Sequence, residues 1–155
     1  MSLRDRLAAK ARRRVVIPVQ VSDPSEDLQR AAEAEVLALA TQAQGDTEQA
    51  ASIRQAAQEA VSRHVEHVTF QAMDPVDFEA LSAAHVDDDG EITNRDRFTA
   101  ALAAECAVDE DLRDEDWWFD QVTSGRWSAG EKTHLYSRLY FELNSSVPRS
   151  AYPKG

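Results

Sequence analysis

Hydrophobic and polar positions along the chain alternate between two periods. Val15-Val16-Ile17-Pro18-Val19-Gln20-Val21 is β-branched and reads as extended, with Pro18 confining it to an edge or irregular strand. Asp23 as N-cap, Pro24 at the first helical position and Glu26 three residues past the cap then form a helix-start signal resembling a capping box. The following segment carries Leu28, Ala32, Val36, Leu39 and Ala43 at spacings of four and three, which predicts one face of a helix. Gln44-Gly45-Asp46 ends this helix and starts a second, with Ala50, Ile53, Ala57, Val61 and Val65 on one face. The pair reads as an antiparallel hairpin over about 24–66 with a thin, alanine-rich seam. His67-Val68-Thr69-Phe70-Gln71-Ala72 alternates as a second short strand, expected to pair with residues 15–21 at the base of the hairpin.

From Asp74 onward the pattern predicts short capped helices over about 75–144. Asp74-Pro75 opens one with Phe78 and Leu81, and Thr93 or Asn94 opens the next with Phe98, Ala101 and Leu102. Asp114 opens a third with Trp117, Trp118 and Val122. Ser128 with Glu131 is a capping box for the last, whose Leu135, Leu139 and Leu143 share a face. The expected architecture is therefore mainly α: a helical hairpin flanked by two short strands, then a compact bundle of short helices, with flexible termini. Residues 1–14 form a basic arm, 15–144 a single helical domain and 145–155 a tail. The 155 residues suit one domain by size.

Charge changes the picture at one end. Residues 1–14 hold six basic side chains against Asp5, a local +5 that leaves −16 on the remainder of a chain whose total is −11. Nucleic-acid binding by the body is not expected, because neutralising phosphates needs a basic face. Only the arm could do so; it reads as a solvated, frayed basic start, with Arg12, Arg13 and Arg14 as candidates for a phosphate or acidic-partner contact. No apolar run approaches the ~20 residues of a membrane span. Cys106, the only cysteine, lies in the apolar run FTAALAAECAV and reads as a small buried hydrophobe. With no disulfide framework and no secretory-type apolar stretch near the start, a reducing cytoplasm is the expected setting.

The stretch DDDGEITNRDRF, residues 87–98, invites a calcium reading. Placing Gly90 at the sixth position of an EF-hand loop puts Asp87 and Asp89 at the third and fifth. It also puts His85 at the first, where a hard cation needs a carboxylate, and Asp96 at the twelfth, where a longer bidentate Glu belongs. A turn at Asp-Gly followed by a cap from Thr93 or Asn94 accounts for the same residues. His64, Glu66 and His67 do not match a zinc-protease helix and read as solvated helix-end groups, and His134 has no neighbouring ligand. No nucleophile elbow or phosphate-cradling glycine loop occurs, so no enzyme and no cofactor are expected.

The aromatics concentrate in the last third. Trp117, Trp118 and Phe119 are consecutive, and three adjacent helix positions spread over about 200°. They cannot all face one core, so they are candidate partner contacts together with Trp127.

The order of these pieces resembles the tail assembly chaperones of long-tailed actinobacterial phages. The likeness runs through RDRLAAKARRRVVIPVQVSDPSEDLQRAAEAEV, VTFQAMDPVDFEALSAAH, the loop with Asn94 and Phe98, FTAALAAECAVDEDL, SAGEKTHLYSRLYFELN and SSVP. The chain departs from it after the AAH, where Val86 and the acidic DDDGEI stand in place of a proline-containing loop. The resemblance implies a helical protein of the host cytoplasm, absent from the mature virion. It would bind the tape measure protein, keep it soluble and promote assembly of the tail tube around it. It also implies a longer frameshifted product; Tyr152-Pro153-Lys154-Gly155 is compatible with codons containing a slippery heptamer. A homo-oligomer fits the same reading. The alternatives are a structural virion component at the head-tail junction or tail, and a calcium-responsive helical module.

Overall fold

The computed structural model describes residues 1–145, and the chain is mainly α, as the periodicity predicts. Beyond Ser145 the expected tail, including the residues tied to a frameshift, lies outside the described residues. Among the described residues no helix is long and apolar enough to cross a membrane. Packing divides the chain into two compact units, Pro18–Val68 and the remainder.

The basic arm contains a short helix, α1 (Leu3–Ala8), closed by a reciprocal cap between Ser2 and Asp5 and buried nowhere. Strand β1 (Arg14–Gln20) pairs with β2 (Val65–Gln71) in a two-stranded sheet. The Val21 N–H donates to the His64 carbonyl and the Ala72 N–H to the Arg13 carbonyl, both at 2.8 Å, which fixes an antiparallel register with Val15 opposite Phe70. One face is consequently apolar, with Val15, Ile17 and Phe70 buried. The Val108 N–H extends the ladder by donating to the Thr69 carbonyl at 3.1 Å.

Unit Pro18–Val68 is built on the hairpin of α2 (Ser25–Ala43) and α3 (Thr47–Ser62). α2 starts one residue later than expected, with Pro24 at the N-cap and no side-chain cap; Asp23, one residue before it, accepts from the Ser25 N–H and hydroxyl, and no capping box with Glu26 forms. Gly45 takes a positive φ of 92° and Asp46 caps α3 through the Gln49 N–H, as the turn chemistry requires. The seam on α3 follows the predicted face through Ala50, Ile53, Ala57 and Val61, while Val65, expected on the same face, lies in β2 because α3 ends at Ser62; the seam on α2 does not follow the prediction. Asp27, Ala31, Ala34, Ala38 and Thr41 turn inward, while Leu28, Ala32, Val36, Leu39 and Ala43 are exposed. Fully buried Ala38 and Ala50 explain the reversal: close helix approach selects the smallest side chains.

The other unit is organised around α5 (Arg95–Cys106), which buries Phe98 through Ala104 and Cys106. A helix apolar on nearly every side belongs inside. Around it stand α4 (Pro75–Ala84), a 3₁₀ turn (Glu110–Leu112), α6 (Glu115–Val122) and α7 (Ala129–Ser137). The caps are those the sequence predicts: Asp74, Asn94, Asp114 and the Ser128–Glu131 box. Asn94, not Thr93, caps α5. From Arg138 the last helix widens to π winding up to Ser145, and Leu135, Leu139 and Leu143 remain buried throughout. The Asn144 side chain ties its end down, accepting from the Met73 N–H and donating to the Leu139 carbonyl.

Candidate partner-binding surface

The stretch DDDGEITNRDRF forms a miniature hairpin. The Asp87 N–H donates to the Glu91 carbonyl at 2.8 Å and Thr93 N–H to the His85 carbonyl at 3.0 Å, with Val86 facing Ile92. Gly90 turns the chain at φ 81°. Oδ1 of Asp87 accepts from the N–H groups of Asp89 and Glu91, closing the turn on the loop's own backbone. His85 faces the interior: its ring stacks on Phe98 at 5.0 Å, and its Nδ1 donates to the Leu81 carbonyl. These contacts are those of a connector between α4 and α5.

The aromatic candidates separate by position on α6. Trp118 is 3% exposed, its indole N–H donates to the Leu112 carbonyl at 2.6 Å, and its ring meets Phe70, Trp117 and Trp127. It is an interior residue, because position 118 shares a face with buried Val122 four residues on. Trp117 is the exposed member at 41%. Phe119 is half-buried under the Arg97 guanidinium, 3.9 Å from the ring centroid, and Arg97 is in turn held by Asp116 and Glu115. Trp127 is half-buried against Trp118. The run therefore offers one exposed indole, not a patch.

The arginines are occupied within the chain. Arg12 lies 3.7 Å from the Asp74 carboxylate, Arg14 donates to the Gln71 side chain, and Arg13 donates at 2.7 Å to the Glu142 carbonyl. That last contact places a cation on the last helix near its C-terminal end, where carbonyls lack intrahelical partners. The structure does not bring the arginines and tryptophans together as one surface.

Arg12 also lines a cleft of about 360 Å³ with Gln71, Asp74, Asp77, Glu105 and Arg113. Two cations and three anions leave it without a dominant sign. Cys106 forms part of its wall, yet burial pushes the thiol up to about 11 and keeps it protonated and inert near neutrality.

Two features escape sequence reasoning. The first is a hydrogen-bonded relay in the hairpin unit: His64 Nδ1 lies 2.6 Å from the Ser22 hydroxyl, and Nε2 lies 2.6 Å from the Asp27 carboxylate. With Nε2–H donating to Asp27, Nδ1 accepts from Ser22. His64 is thus a clamp between the start of α2 and the end of α3, not a solvated helix-end group; its partners lie 42 and 37 residues away and leave no local signal. The His64 hydrogen bond, with Arg30 and Arg63 nearby, holds the Asp27 carboxyl below its ordinary value of 3.8. A depressed carboxylate contributes stability above its unfolded value and loses it as pH falls through the folded one. Melting temperature is therefore expected to drop below about pH 4, and Asp27→Asn should flatten part of that drop. Parallel pH–melting curves for the two proteins check this; superimposable slopes would rule the clamp out as the source.

The second feature is the outer face of α2. Leu28, Val36 and Leu39 are 52, 69 and 55% exposed, with Ala32 and Ala43 exposed on the same face. The sequence displayed this stripe, but size ranking assigned it to the seam. Among comparisons with known proteins, no family model, curated protein or solved structure matches the chain.

Proposed function

We propose that this protein is a tail assembly chaperone of a long-tailed phage, which binds the tape measure protein in the host cytoplasm, keeps it soluble and promotes tail tube assembly around it. One observation carries the reading: a helix in an acidic protein presents its larger apolar side chains to solvent and its alanines to its partner helix. A contiguous exposed apolar strip is a contact surface for another chain, and net charge keeps such a complex dispersed. A long helical apolar-rich client meets both properties. The resemblance of the sequence to this chaperone family points the same way, and the frameshifted longer form and a homo-oligomer belong to the same proposal.

Co-expression tests it. On this reading a tape measure protein from the same phage is expected in the pellet when made alone, and in the supernatant, co-purifying, when made with this chain. A client that stays insoluble in its presence would refute the proposal. Recovery of this protein in stoichiometric amount from purified particles would instead establish a virion component.

A further inference from the structure

The outer strip of α2 has a chemically defined rim. At 100° per residue, Leu28, Ala32, Val36, Leu39 and Ala43 fall within an arc of about 80°. Glu35 borders this arc at one edge; past the other edge come Gln29 and Ala40, and then Glu33 and Glu26, about 60° and about 80° beyond Val36. Glu35 is paired with Arg54, whose guanidinium reaches both carboxylate oxygens at 2.9 and 3.0 Å, so this edge carries an ion pair with no net charge. The one cation of α2, Arg30, lies away from the strip beside Glu26 and Asp27, 4.0 and 3.6 Å away. The result is an apolar strip on a helix about 28 Å long, with an ion pair along one edge and acids set back from the other. The unit around it is equally one-sided, holding nine acidic residues against Arg30, Arg54 and Arg63.

We infer that this face docks a basic amphipathic helix, with apolar residues every three to four positions and lysines or arginines flanking them. Helix-on-helix packing matches the shape of the strip, and the acidic excess of the unit, with Glu33 and Glu26 on the far side of the strip, selects the charge. A second copy of this chain is a poorer occupant. A two-fold pairing of the strip would bring two such acidic units together, in a protein already at −11. The identity of the natural occupant, a helical segment of the client, rests on the chaperone reading; its chemistry rests on the face alone.

Two labelled peptides of about 19 residues, sharing one leucine-alanine stripe and flanked by either lysines or glutamates, are the probes. Titrated with the full-length protein at low salt, the lysine peptide is expected to bind at least about tenfold more tightly than the glutamate peptide, and to weaken steeply as salt rises. The double variant Val36→Asp, Leu39→Asp should lose at least about tenfold in affinity while keeping wild-type circular dichroism and melting, because both side chains are exposed. Glu33→Lys should weaken the lysine peptide and favour the glutamate one. Equal binding of the two peptides, or full binding by the double variant, would overturn the inference. So would a dimer in sedimentation velocity that the double variant dissolves, since the occupant would then be a second copy. The two proposals fail separately. Client solubilisation that survives the double variant removes the docking site and leaves the chaperone; peptide docking at α2 without client solubilisation does the reverse.

Discussion

Trp118→Ala is expected to destabilise the protein by about 3–5 kcal/mol, the range for removing a large buried aromatic. The indole is 3% exposed and sits 6.0 Å from Phe70, 5.1 Å from Trp117 and 6.4 Å from Trp127, centroid to centroid. Its loss opens a cavity and orphans the Leu112 carbonyl that its N–H now satisfies. Trp117→Ala, at the exposed neighbouring position, should cost about 1 kcal/mol or less. Urea denaturation followed by circular dichroism separates the two, and nearly equal midpoints would contradict the placement of the α6 aromatics. The same pair decides how a binding defect in Trp118→Ala is read: the fold fails before any contact does.

Phe98→Ala is expected to cost a similar amount, about 3–5 kcal/mol. Its ring is 1% exposed, stacks on His85 and meets the edges of Tyr136 and Tyr140 at 6.0 and 5.8 Å. Edge-to-face pairs add about 0.5–1.5 kcal/mol each beyond burial, so an aliphatic replacement should restore volume without restoring full stability. Thermal unfolding of Phe98→Ala and Phe98→Leu tests this. A loss under about 1 kcal/mol for alanine would mean that the cluster relaxes around the gap.

Local chemistry was the legible part of this chain. Asp46, Asp74, Asn94, Asp114 and Ser128 each cap a helix through an N–H two or three residues away, so a few consecutive letters contain the whole interaction. Helix facing was legible only where one arc was apolar. In α2 two arcs competed, one of leucine and valine and one of alanine, and side-chain size favours the first while close axial approach favours the second. Tertiary packing decided for Ala31, Ala34 and Ala38. The Trp117-Trp118-Phe119 run showed that its members must diverge; the spacing from Trp118 to Val122 holds the further information on which one turns inward. The Ser22–His64–Asp27 relay and the arginine contacts span most of a unit in sequence, and no window of neighbouring residues encodes them.

The register of β1 and β2 has a kinetic meaning. Arg14 and Gln71 meet across a gap of 57 residues, and closing so long a loop from an unfolded chain carries an entropic cost that delays the first long-range pairing. The intervening sequence is mostly two helices joined by a tight glycine turn. With that hairpin in place the strand ends emerge side by side, Val21 bonded to His64, and the loop left to close between them is short. Local helix formation is therefore expected to set the pace for the sheet, and a substitution at Gly45 should show in the refolding rate, which stopped-flow measurement reads.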